Sequence, residues 1–141
     1  MKVIFLDIDG VLNSEKYYTE HLEDMMENPV DRECVKRLKR IVDATGARIV
    51  LSSSWRTGWS RKKDQMDELC RKLVEILAEY QLEIYDKTCI LNNGERGREI
   101  KFWIKNAPEK VESFVILDMR FPSLASARCG AARSTLTAVT A

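Results

Sequence analysis

Short apolar segments alternate along the chain with longer segments whose hydrophobic residues recur at helical spacing. Four short segments have the apolar or β-branched character of buried strands, and they cover residues 3–6, 48–51, 83–85 and 114–117. Helical spacing predicts one helix that begins after Asp31, a favourable N-cap, and ends near Gly46. It predicts a second helix from Met66 to Tyr80 and a third that contains Trp103.

The order of these elements predicts an α/β fold. Strands and helices alternate, and parallel strands need such helical crossovers between them. We therefore expect a three-layer, Rossmann-like parallel sheet with helices on both faces. Ligands in such folds bind beyond the carboxyl ends of the strands, so functional residues are expected at that edge of the sheet.

Polar residues follow three of the four predicted strands. The candidate functional side chains at these strand ends are Asp7, Asp9, Ser52, Ser53, Arg56 and Asp118. Carboxylates gathered without histidine or cysteine are typical of a site for a hard cation, for which Mg²⁺ is the natural candidate. Hydroxyl and guanidinium groups are donors that suit the oxygens of a phosphate. The pattern predicts an oxyanion bound against a magnesium ion.

The spacing of the two N-terminal aspartates suits covalent phosphoryl chemistry. One carboxylate of the pair Asp7 and Asp9 could attack phosphorus, while the other, protonated, gives its proton to the leaving oxygen. A calcium-binding EF-hand loop also spaces aspartates by two. A loop of that kind beginning at Asp7 would need glycine and glutamate where the chain has Leu12 and Tyr18. The four cysteines form no CxxC pair, which argues against a zinc site.

The composition is that of a globular protein of one domain. The chain has 141 residues and a net charge of +1, which provides no long-range attraction for nucleic acid or for an anionic membrane. The apolar run before Asp7 is too short for a signal-peptide core or a membrane span. We therefore expect a cytoplasmic protein without a membrane partner, and composition predicts no oligomeric state.

The chain resembles the haloacid dehalogenase (HAD) superfamily of phosphohydrolases. The resemblance rests on a buried strand followed by Asp-x-Asp-Gly-Val-Leu-Asn, a second strand ending in small hydroxyl residues, and a later strand ending in Leu-Asp. Two further segments are similar to the HAD domains associated with Swiss-army-knife RNA-repair proteins. They are LSSSWR and RGREIKFWI, and the second lies shortly before FVILD. The resemblance covers residues 2–118.

The resemblance implies roles for the three strand-end aspartates. Asp7 would be the nucleophile that forms an aspartyl phosphate, and Asp9 would be the general acid and base. Asp7 and Asp118 would provide carboxylates to Mg²⁺, and Asp9 would offer its backbone carbonyl to the same ion.

The resemblance also implies a set of phosphate-binding residues. Ser53 matches the hydroxyl that holds the phosphoryl group, with Ser52 as the alternative. The basic residue that balances charge on the nucleophile and the phosphate is best matched by Arg96, while Arg98 and Lys101 remain open.

The chain departs from the family pattern at its C-terminal end. Relatives usually have a second acidic residue after the one that matches Asp118, where this chain has Met119. Residues 121–141 contain no acidic residue and no lysine. We expect a catalytic domain over residues 1–120 and an atypical tail over residues 121–141, with an edge strand near 136–139 and disorder as the open alternatives.

Residues 14–30 are too few for the cap domain that many HAD enzymes insert at this point. An uncapped site is open, which suits a macromolecular phosphate end better than a small metabolite that must be enclosed. We therefore expect a magnesium-dependent phosphohydrolase of phosphomonoesters, with a nucleic-acid end as the favoured substrate. The alternative is a catalytically impaired HAD scaffold that binds phosphate-bearing ligands or partners.

Overall fold

The core of the fold is a six-stranded sheet in a computed structural model that describes residues 1–92, 94–119, 126–129 and 132–140. In chain order its strands are β1 (Lys2–Leu6), β2 (Arg48–Leu51), β3 (Ile84–Lys87), β4 (Ser113–Leu117), β5 (Ser126–Cys129) and β6 (Ala132–Thr140). Their spatial order is β3-β2-β1-β4-β6-β5. Strands β1 to β4 pair in parallel, whereas β6 is antiparallel to both β4 and β5. The four predicted strands are confirmed.

Helices cover both faces of the parallel strands. The described α-helices are α1 (Glu15–Glu20), α2 (Arg32–Thr45), α3 (Glu68–Glu79) and α4 (Arg96–Lys105), with short 3-10 helices at Ser54–Thr57 and Lys63–Gln65. The predicted caps of α2 are present, because the Asp31 side chain accepts from the backbone N–H of Glu33 and Gly46 adopts a φ of 66°. Helix α3 begins two residues after the predicted Met66, since Asp67 caps it through the N–H of Cys70.

The alternation of side chains along β1 divides the core into two layers. Ile4 and Leu6 point to one face, where they pack with α2 and α3 in the larger hydrophobic cluster. Val3 and Phe5 point to the other face, and the Phe5 ring meets Trp103 of α4 edge to face with 5.5 Å between ring centroids. The fold is therefore the predicted three-layer α/β sandwich.

The segment between β1 and α2 contains a short helix that the apolar pattern did not predict. Ser14 caps α1 by accepting from the N–H of Tyr17, and the Tyr17 hydroxyl donates to the carbonyl oxygens of Asn28 and Val30 at 3.1 and 3.0 Å. No residue of α1 is buried, so hydrophobic periodicity had no signal there. The segment folds back on itself and forms no cap domain.

The C-terminal tail contributes backbone to the sheet. Strand β6 lies between β4 and β5, and it includes the residues where an edge strand was predicted. Residues 120–125, 130, 131 and 141 lie outside the described part of the chain, and the division of the chain at residue 120 stays a prediction. Of the described helices, none has the length and the apolar character needed to cross a bilayer.

Candidate active site

The carboxyl ends of three parallel strands converge at one edge of the sheet. The backbone N–H of Asp7 donates to the carbonyl of Leu117 at 2.8 Å, and that of Ser52 donates to the carbonyl of Leu6 at the same distance. The strand pairing thus continues one residue past β1 and β2, which places Asp7 beside Asp118 and the serine loop. This is the convergence that the strand order predicted.

Arg96 joins the two buried aspartates. It is the first residue of α4, and its Nη1 lies 3.2 Å from Asp7 Oδ1 and 3.1 Å from Asp118 Oδ2. The same nitrogen donates to the backbone carbonyl of Ser52. Arg98 is exposed and pairs with Glu95, and Lys101 is exposed as well. Of the three basic residues considered, Arg96 is the one that reaches the aspartates.

Asp7 lies in an environment that opposes its negative charge. Burial raises the pKa of its carboxyl above the ordinary value, and the nearby charge of Asp118 raises it further. Arg96, a hydrogen bond from Ser53 and the backbone N–H of Ile8 lower the pKa, but they do not fully offset burial. The Ile8 N–H donates to Asp7 Oδ1 at 2.9 Å, which fixes the orientation of the carboxyl group.

The two candidate serines have different surroundings. Both are almost fully buried, but the Ser53 side chain lies close enough to Asp7 to lower the pKa of that carboxyl group, and it accepts from the N–H of Trp55 at 3.3 Å. The Ser52 hydroxyl has no hydrogen-bond partner within the described residues. Ser53 is therefore the serine that adjoins the candidate nucleophile, whereas Ser52 reaches Arg96 through its backbone carbonyl.

Arg56 is buried beneath the serine loop and its guanidinium bonds to protein groups. Its Nη2 donates to Glu99 Oε2 at 2.9 Å and its Nη1 donates to the carbonyl of Ser53 at 2.7 Å. Glu99 Oε1 in turn accepts from the N–H of Leu91 at 3.1 Å. These contacts tie the serine loop to α4, the helix that begins with Arg96, whereas Arg56 Nε has no hydrogen-bond partner among the described residues. The predicted phosphate-binding role of Arg56 stays a prediction.

Asp9 is the exposed aspartate of the pair, and two donors hold it. The indole Nε1 of Trp55 donates to Asp9 Oδ2 at 3.1 Å, and Asn13 Nδ2 donates to Asp9 Oδ1 at 3.3 Å. Asn13 also accepts from the N–H of Gly10 at 3.0 Å and donates to the carbonyl of Pro29 at 3.2 Å. The turn after β1 is thus fixed to the end of the segment that precedes α2.

Gly10 is required by two features of this turn. Its φ of 82° lies in the left-handed region, which disfavours residues with a side chain. A Cβ atom at this position would also lie 2.6 Å from the sulfur of Met119. Met119 therefore packs against the turn between Asp9 and Asn13.

Asp7 and Asp118 are the carboxylates at this edge that a magnesium ion would use, and in the structure both contact Arg96. Among the described residues, no group of three or more histidine, cysteine, aspartate or glutamate side chains is arranged to hold a metal. Mg²⁺ commonly binds through only one or two carboxylates and keeps several waters, which suits Asp7 and Asp118. A cation there would also offset the burial and the repulsion that raise the pKa of Asp7.

Sequence reasoning missed three residues that support the site, namely Asn13, Trp55 and Glu99. Asn13 lies four residues after Asp9 in a tight turn, a spacing that allows side-chain contact. Glu99 shares the apolar face of α4 with Trp103, so a buried charge on that face was a usable signal for an ionic partner. The sequence contained no comparable indication for Trp55, because 46 positions separate it from its partner Asp9.

Comparison with models of protein families gives a match over most of the chain. A family model described as the HAD domain in Swiss Army Knife RNA repair proteins matches residues 3–135. No curated protein and no solved structure matches the chain significantly. HAD domains are associated with phosphohydrolase-type functions and generally with Mg²⁺. The chain belongs to the family of HAD domains found in Swiss Army Knife RNA repair proteins.

Proposed function

We propose that this protein is a magnesium-dependent phosphomonoester hydrolase that acts through an aspartyl phosphate on Asp7. The observation that carries the proposal is the position of the Asp7 carboxyl group, which contacts Arg96 at 3.2 Å and lies near the buried Ser53 side chain. A guanidinium and a hydroxyl near a nucleophile are suited to bind the oxygens of a transferring phosphoryl group. These donors would balance the charge that builds up on those oxygens.

Each strand-end aspartate has its own task in the proposed reaction. A carboxylate oxygen of Asp7 attacks phosphorus while the bond from phosphorus to the leaving oxygen breaks, and Asp9 gives its proton to that oxygen. Asp9 then takes a proton from the water that attacks the phosphorus of the aspartyl phosphate, which releases Asp7 and inorganic phosphate. Ser53 and Arg96 hold the phosphoryl oxygens in both steps.

Asp7, Asp118 and the backbone carbonyl of Asp9 would hold the magnesium ion. When bound, Mg²⁺ would neutralise charge on the phosphoryl oxygens beside the nucleophile. Arg96 stabilises the same pair of carboxylates from α4, so the site carries positive charge near both aspartates even before a cation binds.

The favoured substrate is a phosphate at the end of a nucleic acid. Within the described residues no cap domain covers Asp9, which is exposed at the edge of the sheet, so a large substrate can reach it. The description of the matching family, which names RNA repair proteins, supports the same substrate class. A catalytically impaired scaffold that binds phosphate groups is the second candidate, and Met119 in place of an acid favours it.

Hydrolysis of p-nitrophenyl phosphate with and without Mg²⁺ tests the proposed reaction. We expect turnover of this aryl phosphate that depends on Mg²⁺. In a separate assay we expect release of phosphate from oligonucleotides with 5′ or 3′ phosphates. Absence of turnover together with retained binding of inorganic phosphate would instead favour the scaffold. Turnover of the aryl phosphate without turnover of either oligonucleotide would exclude nucleic-acid ends as substrates.

Replacement of Arg96 by methionine is expected to weaken binding of inorganic phosphate about tenfold or more, because it removes charged hydrogen bonds to the anion. The measurement is the inhibition constant of inorganic phosphate in the hydrolysis assay. Arg98→Met, on the same helix but exposed, is the matched control and should change that constant by less than about twofold. Equal effects of the two substitutions would exclude a special role for Arg96.

A further inference from the structure

The side chain of Asp9 is held from two directions, although the residue is exposed. Trp55 Nε1 donates to Oδ2 at 3.1 Å and Asn13 Nδ2 donates to Oδ1 at 3.3 Å. The donor from Asn13 lies within the same turn, whereas Trp55 comes from the loop after β2. The indole is therefore the contact that ties Asp9 to a different strand end.

Trp55 is itself firmly placed. It belongs to the 3-10 helix Ser54–Thr57, its N–H donates to Ser53 Oγ at 3.3 Å, and its carbonyl accepts from the Cys70 thiol at 3.3 Å. Part of its ring packs against the larger hydrophobic cluster. Few of its rotamers remain accessible in such surroundings, so the indole N–H is a rigid donor.

A general acid needs this kind of support. Proton transfer requires the carboxyl group to lie within hydrogen-bond reach of the leaving oxygen, and an exposed aspartate would otherwise sample several rotamers. Displacement by about 1 Å can cost about a hundredfold in rate. The same loop places Ser53 beside Asp7, so the 3-10 helix helps to fix the position of the proton donor relative to the nucleophile.

We propose that Trp55 is a positioning residue that orients the carboxyl group of Asp9 for proton transfer to the leaving oxygen through its indole N–H. The inference rests on the proposed function, in which Asp9 is the general acid. It assigns to Trp55 a hydrogen-bonding role, in place of a role as a packing residue or as a platform on which a nucleotide base stacks.

The first test compares aryl phosphates with different leaving groups in Trp55→Phe. Phenyl phosphate has a poor leaving group that needs the proton, whereas 2,4-dinitrophenolate leaves readily without one. We expect kcat/KM of the variant to fall about thirtyfold or more on phenyl phosphate and less than about threefold on 2,4-dinitrophenyl phosphate. Trp103→Phe is the matched control. It also removes an indole hydrogen bond, the one of 2.9 Å from Trp103 to Asp86, but that bond lies outside the site.

The second test detects the hydrogen bond between Trp55 and Asp9 in metal-free protein, independently of activity. In a ¹⁵N-labelled sample each tryptophan gives one indole N–H resonance in the NMR spectrum. Asp9→Ala should shift the Trp55 resonance and speed its exchange with solvent, while the Trp103 resonance stays in place. Asp86→Ala should have the opposite pattern, because Trp103 donates to Asp86.

The outcomes separate this inference from the proposed function. If the parent protein is active and Asp7→Asn is inactive, the proposed function stands whatever Trp55 does. An equal loss of kcat/KM on both aryl phosphates in Trp55→Phe would then overturn the positioning role. A Trp55 resonance that does not change in Asp9→Ala would overturn it as well. Loss of affinity for oligonucleotides with unchanged leaving-group dependence would identify a stacking platform and would likewise overturn it.

Discussion

Replacement of Asp7 by asparagine is expected to lower kcat for aryl phosphate hydrolysis by about 10⁴-fold or more, because the amide cannot attack phosphorus. The fold should survive the change. Asparagine keeps the shape of the side chain, and loss of the charge relieves the repulsion between Asp7 and Asp118. The thermal midpoint in magnesium-free buffer should therefore be no lower than that of the parent protein.

Asp43→Asn provides the matched control for this substitution. Asp43 is an exposed carboxylate of α2 that pairs with Lys39 at 2.9 Å, so its loss should leave hydrolysis unchanged. Substantial hydrolysis by Asp7→Asn would exclude Asp7 as the nucleophile. A large drop in its thermal midpoint would show that burial of the carboxylate stabilises the fold, contrary to the direction of its pKa shift.

The largest expected effect on stability comes from Glu99. Its side chain and that of Arg56 are 1% and 8% exposed, and the ion pair between them measures 2.9 Å. Glu99→Ala would leave the buried guanidinium without its counter-charge, which should lower the free energy of unfolding by about 3–5 kcal/mol. It would also remove the acceptor of the Leu91 N–H. Urea denaturation followed by circular dichroism measures the change.

A surface ion pair provides the control for the buried one. Glu79 makes two hydrogen bonds to Arg32, but the two side chains are 50% and 39% exposed. Glu79→Ala should therefore lower the free energy of unfolding by less than about 1 kcal/mol. Similar losses for Glu79→Ala and Glu99→Ala would mean that the buried pair has no special structural role.

The sheet could be predicted because its strands carry a strong local signal. Residues such as Ile4 and Leu51 belong to short apolar runs, and the helices between them have one apolar face. The edge strand β3 was predicted less well, since each of its residues is half-buried and its pattern is correspondingly weak. Helix α1 had no signal at all, because its formation depends on capping and on the Tyr17 hydroxyl.

The site could be predicted in part because topology brings strand ends together. The rule for parallel sheets places Asp7, Asp118 and the serine loop at one edge without knowledge of any contact. It could not identify the partners of Arg56, which depend on how α4 packs against the sheet. Long-range side-chain bonds of this kind leave little trace in a single sequence, and they decide here which arginine faces the aspartates.

Detection of the aspartyl phosphate is the most direct test of the proposed chemistry. The protein would be mixed with Mg²⁺ and p-nitrophenyl phosphate, quenched in acid during turnover, digested with pepsin and analysed by mass spectrometry. We expect a phosphoryl group on the peptide that contains Asp7, and none in Asp7→Asn. Turnover by the parent protein with no phosphoryl group on that peptide, or with one attached elsewhere, would contradict a mechanism through Asp7.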